Sequence, residues 1–164
     1  MQLDLQPGSF LFWILLVFFL SIIVLVKHRA RQALPYRRRD RLMSKSEEFF
    51  LRTLRIAVGE MYDIYPQINL SRILYVKADV AHPQKFYNRI DRKSVDFLLC
   101  DKKTNRPILA IELDDASHFF AHRVRRDKFV DSTFGAAKMP LLHIPTQRAY
   151  DATQLKNAIT ACIN

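Results

Sequence analysis

The sequence predicts an α/β domain built on a mixed sheet, carried behind a single membrane-spanning helix. Three observations predict it. An uncharged apolar run occupies residues 9–26. Two apolar strands, SVDFLLC at 94–100 and PILAIEL at 107–113, flank a polar turn at 101–106 that reads as a hairpin connection. Around them, the element order is helix, strand, strand, strand, helix, strand, helix, with short turns that make the three-strand section antiparallel.

The run at 9–26, SFLFWILLVFFLSIIVLV, has Ser9 and Ser21 as its only polar members. At helical rise it spans about 27 Å, close to the hydrocarbon thickness of a bilayer. The segment before it, MQLDLQPG, has no Lys or Arg, unlike the start of a cleaved signal peptide. Lys27, His28, Arg29, Arg31, Arg37, Arg38, Arg39 and Arg41 follow it. This asymmetry predicts a single-pass anchor in the inner, cytoplasmic membrane. Residues 1–8 would lie outside, and residues 43–164 would form one cytoplasmic domain. Residues 27–42 read as a basic linker, in which Pro35 stops any helix continuing from the membrane. Its Arg run suits anionic headgroups and nucleic acid equally.

Within the domain, Ser44 and Glu47 have capping-box spacing ahead of a helix at 46–60. Phe50, Leu51, Leu54, Ala57, Val58 and Met61 recur along it at helical spacing. Residues 62–70 alternate as a strand, with Pro66 marking an edge or a bend. Residues 71–76 read as a short helix and 78–92 as a polar, basic connection. Residues 119–137 have a helical pattern, with Gly135 near the end. A short strand at 141–144 stops at Pro145, and Asp151 caps a last helix to about 163.

All 26 Lys and Arg lie after residue 26, so the domain is more basic than the whole-chain charge of +10. That balance favours polyanionic partners, nucleic acid or anionic lipid, or simply a soluble basic surface. The two cysteines, Cys100 and Cys162, fit a reducing compartment. No Cys/His cluster has zinc-ligand spacing.

The candidate chemistry is acidic. Asp96 sits between Val95 and Phe97 inside an apolar strand, where a carboxylate needs a partner. Glu112 lies in the next strand, and Asp114 follows two residues on, pointing to the same face. Two readings stand side by side. In one, Asp96, Glu112 and Asp114 converge on magnesium or manganese, which activates water for displacement at phosphate. In the other, they are strand-end acids, solvated or paired with nearby Arg. His118, at the junction of strand and helix, would ligate the metal, move a proton, bind phosphate or cap the helix. Glu47 is a cap or a further carboxylate. Lys93, Arg123, Arg126 and Lys128 are candidate contacts to a nucleic-acid backbone, or part of a solvated face.

The stretch RKSVDFLLCDKKTNRPILAIELDDASH, the preceding SEEFFLRTLRIAVGEMYDIYPQINLSRIL and the later RRDKFVDSTFGAAKMPLLHIP resemble the bacterial family called domain of unknown function 2726. The resemblance covers most of residues 43–162 and not the membrane helix. That family looks like a member of the PD-(D/E)XK restriction-endonuclease-like superfamily, akin to the very-short-patch repair endonucleases. The resemblance implies a core of helix, three strands, helix and strand. It implies Asp96 as the first acid, Glu112 as the Glu of a Glu-x-Lys pair, and Glu47 as the acid of the first helix. Asp114 stands where the motif has Lys. The Lys role would pass to His118, to Lys93 or to a basic residue of the following helix. The expected function is a membrane-anchored, metal-dependent nuclease acting on DNA or RNA. The alternative is a catalytically degenerate module of the same fold that binds nucleic acid or a protein at the membrane. A weaker reading is a scaffold whose basic face binds anionic lipid.

Overall fold

The computed structural model describes the backbone at residues 7–32, 34–114 and 121–163, and the side chains at 10–28, 34–114 and 128–163. The chain divides into two compact units, Met1–Asp40 and Arg41–Asn164.

The first unit holds α1 (Pro7–Gln32). Its segment Phe10–His28 is long and apolar enough to cross a membrane, and none of that span is buried. The helix outlasts the apolar run and continues through 27–32, so the start of the expected linker is helical. No proline falls there, and a mixed basic sequence carries a helix well.

The second unit is a mixed α/β domain. It contains α2 (Lys45–Val58), β1 (Tyr62–Asn69), α3 (Leu70–Ile73), α4 (Pro83–Ile90) and β2 (Ser94–Asp101). After these come β3 (Pro107–Asp114), α5 (Ala121–Ala137), β4 (Leu141–Pro145) and α6 (Ala152–Ile163). The strands form one sheet in the order β1-β2-β3-β4. β1 and β2 pair antiparallel, as do β2 and β3, whereas β4 lies parallel to β3. Parallel pairing needs a crossover, and α5 supplies it.

Caps set the helix ends. The Ser44 Oγ accepts from the Glu47 amide at 3.3 Å, and the Ser44 amide donates to Glu47 Oε2 at 2.6 Å, completing the capping box. Gly59, at φ +54°, ends α2 in a conformation that L side chains resist. Asp151 Oδ1 accepts from the Gln154 amide at 2.8 Å at the start of α6. The connection expected at 78–92 contains α4 instead. Its signal was a proline at the first helical position, without a side-chain cap.

The sheet is covered on both faces, which explains why β2 and β3 read as nearly continuous apolar runs. On one face Phe97, Leu99, Leu109 and Ile111 pack with α2 and α6 through Phe50, Leu54, Leu155 and Ile159. On the other, Leu98, Cys100 and Ala110 pack with Leu70, Ile90, Val130 and Phe134. Both cysteines are free thiols.

The β2–β3 register shifts between Leu99 and Cys100, and the alternation of β2 also breaks near its start. Val95 and Phe97 are two residues apart on β2, yet Val95 belongs to the α5 core and Phe97 to the α2/α6 core. Opposite the break, β1 is irregular as well. Pro66 pairs with Phe97 and Ile68 with Val95, but Gln67 between them is at φ +54°, outside strand geometry. Asp96 therefore sits at a kink, as Pro66 on this edge strand led one to expect of β1.

Candidate functional site: the acidic end of the sheet

The end of the sheet that carries the kink gathers the acidic residues. Asp96 Oδ2 accepts a 2.7 Å hydrogen bond from the Leu113 amide. That contact seats the carboxylate against the backbone of the residue that follows Glu112. Gln67 Nε2 reaches Asp96 Oδ1 at 3.3 Å and Glu47 Oε1 at 2.9 Å. Its amide thus ties the acid of α2 to the acid of β2. Without a donor between them, two carboxylates at such distances would repel. Glu47 serves twice, one oxygen capping α2 and the other accepting from Gln67.

Glu112 is half-buried, with its Oε1 shielded from solvent. It stands at the sheet end, in the strand whose next residue, Leu113, donates to Asp96.

Asp114 engages β4. Both its oxygens approach His143 Nδ1, at 3.2 and 3.1 Å, and His143 Nε2 lies 2.9 Å from Asp131 Oδ1 on α5. With a carboxylate at each ring nitrogen, only the imidazolium donates to both. Burial pushes the ring toward neutrality, but the hydrogen bonds and charges of Asp114 and Asp131 together outweigh it and raise the His143 pKa above its ordinary value.

The structure thus brings Glu47, Gln67 and Asp96 into one hydrogen-bonded relay and sets it against the strand that carries Glu112. Asp114 is held by His143. Among the described residues, no three His, Cys, Asp or Glu side chains form a group that could hold a metal ion. His118 lies outside the described residues, as do the side chains of Arg123 and Arg126. Lys128 is exposed on α5. The Lys93 ammonium lies 5.0 Å from the centre of the Phe129 ring, on which the Arg89 guanidinium also packs at 4.1 Å.

Three residues of this region were not singled out by sequence: Gln67, Asp131 and His143. His143 carried a signal like that of Asp96, a polar residue between Leu142 and Ile144 in an apolar strand. Gln67 had only its position after Pro66.

The fold and the acidic sheet end define a mixed α/β domain whose polar groups converge where β2 begins and β3 ends. The chain belongs to the family described as Protein of unknown function (DUF2726), whose model matches residues 39–162. Comparison with curated proteins finds no match, and comparison with solved structures finds none either.

Proposed function

We propose that the domain is a metal-dependent nuclease of restriction-endonuclease-like build, hydrolysing phosphodiester bonds in DNA or RNA, and that α1 anchors it to the cytoplasmic membrane. The observation that carries this reading is the Asp96 carboxylate, fixed at a break in β2 by the Leu113 amide and joined through Gln67 to Glu47. A carboxylate held at an irregular position of a strand and oriented by an amide is preorganised for a task beyond folding.

Asp96 and Glu112 suit magnesium or manganese, since such ions take one or two protein carboxylates and complete their shell with water and substrate oxygens. The shielded Glu112 oxygen and the oriented Asp96 carboxylate fit that donor set. A bound ion supplies activated water and charge stabilisation at phosphorus. Glu47 and Gln67 position Asp96. Asp114, the third candidate ligand, faces His143, and His118 remains the candidate for proton transfer or phosphate contact. Lys93, Arg123, Arg126 and Lys128 would meet the nucleic-acid backbone. The basic residues after α1 and their absence before it support an outside N-terminus and a cytoplasmic domain.

A second reading rests on Asp114. It stands where the superfamily motif has Lys, and its carboxylate is engaged by His143. A module that binds nucleic acid or a protein without cutting would retain the fold and dispense with that lysine.

The test is a cleavage assay on the full chain in detergent micelles. Single- and double-stranded DNA and RNA would be offered with magnesium or manganese, beside Asp96→Asn and Glu112→Gln. Metal-dependent cutting that both variants lose supports the nuclease. Absence of cutting with retained, salt-sensitive binding supports the second reading.

A further inference from the structure

At the other end of β3 a groove of about 1080 Å³ opens between the α3–α4 region, the start of β3 and the second half of α5. Ile108, in its wall, and Glu112 are about 13 Å apart along the strand. Five cations line the groove, Lys77, Arg89, Arg106, Lys128 and Lys138, and every one is exposed. Among the described residues no Asp or Glu lines it. Among the same residues the ion pairs are Arg41–Glu48, Lys102–Glu60 and those of His143, so none of the five is neutralised by one.

Aromatic rings stand among these charges. Tyr75 is 89% exposed and Phe86 45% exposed, and Phe129 forms part of the wall beneath Arg89. A tyrosine so exposed contributes little to the core, and its face is open to a planar ligand. Apolar side chains, among them Val76, Ile108 and Met139, complete the lining.

We infer that this groove binds single-stranded nucleic acid, with phosphates along its cations and bases stacked on Tyr75 and Phe86. Positive charge that no acid among the described residues opposes in the lining selects a polyanion. Exposed rings interleaved with that charge select one whose bases are unstacked, because a duplex keeps its faces to itself. Concavity favours a strand over a membrane surface, which would meet a flat or convex patch. The volume is at the upper end for a small-molecule pocket and suits several linked units. The inference does not depend on catalysis at the acidic end: it would hold for a nuclease, where it adds a second point of substrate contact, and equally for a binding module.

The test uses the full chain in micelles of uncharged detergent, with EDTA present so that no cutting occurs. The probe is a short fluorescent oligothymidylate, with a duplex of the same length and anionic vesicles as comparators. Tyr75→Ala should weaken oligothymidylate binding by roughly tenfold. Arg106→Gln with Lys138→Gln should lower the slope of log affinity against log salt by about 0.7 per charge removed. Lys156→Gln, at an exposed cation of α6 outside the groove, should bind as the native chain does, so that a general loss of charge and a loss of this site are read separately. Three results would overturn the inference. One is unchanged affinity and salt slope in the groove variants, with binding lost only when Arg37, Arg38, Arg39 and Arg41 are replaced. Another is equal sensitivity of duplex and single strand to Tyr75→Ala. The third is groove-dependent binding of anionic vesicles without groove-dependent binding of the oligonucleotide.

Discussion

Asp96 on β2 accepts a 2.7 Å hydrogen bond from the Leu113 amide on β3, a side chain answering a backbone donor across the strands. The bond replaces a ladder contact where β2 kinks, and it fixes the direction of the one acid embedded in that strand. Stability and activity therefore separate at this residue. Asp96→Ala leaves the Leu113 amide without its acceptor and should cost about 1–3 kcal/mol. Asp96→Asn keeps an acceptor oxygen of the same shape and should cost less than half of that, while both substitutions would abolish the metal-dependent cleavage proposed for the domain. Urea unfolding of the two variants decides the point. Equal stability of Ala and Asn would mean that the hydrogen bond contributes nothing.

His143 predicts a pH dependence. Its folded-state pKa is raised, the carboxylates of Asp114 and Asp131 outweighing burial. The folded chain therefore binds this proton more tightly than the unfolded chain, whose histidine titrates near its ordinary value of about 6.5. The resulting stabilisation is complete below that pH and is lost as pH rises through the folded-state value. Unfolding midpoints measured from mildly acidic to mildly alkaline pH should fall across that window in the native chain and fall less in His143→Asn. The same slope in both would place the proton uptake elsewhere.

Lys138 ends α5 at φ +53°, in a pair of bonds from Lys138 N to Gly135 O and from Met139 N to Phe134 O, both 3.1 Å. That left-handed closing position suits glycine, and a side chain there is strained by about 1 kcal/mol. Lys138→Gly should stabilise the fold by that amount while weakening oligonucleotide binding, whereas Lys138→Ala should weaken binding without stabilising. Thermal melts and binding titrations on the two variants test this. A Gly variant no more stable than Ala would show that the turn carries no strain.

The segment Phe10–His28 is expected to hold the chain in the membrane. Lysine near the middle of a spanning helix costs about 2.5–3.5 kcal/mol per residue. Phe18→Lys combined with Phe19→Lys should move the protein from the carbonate-resistant membrane fraction to the supernatant. Full retention would transfer the anchoring role to another part of the chain.

Much of the architecture was readable before folding. The capping box at Ser44 and Glu47, the β2–β3 hairpin, the stop at Pro145 and the cap at Asp151 all lie where their local chemistry indicates. The short helix α4 was not readable, because eight residues of mixed polarity without a side-chain cap carry little helical signal. The acids were identifiable one by one. Glu112 and Asp114 share a face by strand period, but nothing local says that Asp114 meets a histidine 29 positions later.

What the sequence by itself determined is therefore short-range: an apolar length sufficient for a bilayer, the hydrophobic periods of the helices and strands, their caps, and a surplus of positive charge. The periods and caps are set by neighbours within a turn of helix or a pair of strand residues, and the apolar length and the charge by composition alone. Only the tertiary structure decided that Val95 and Phe97 face opposite cores, that Gln67 bridges Glu47 and Asp96, that β4 brings His143 to Asp114, and that five cations share a groove with Tyr75 and Phe86. The strand relations depend on sheet register and on one residue at positive φ, and a single-residue slip would send the strand side chains to the other face, while the groove depends on how α4 and α5 pack beside the sheet.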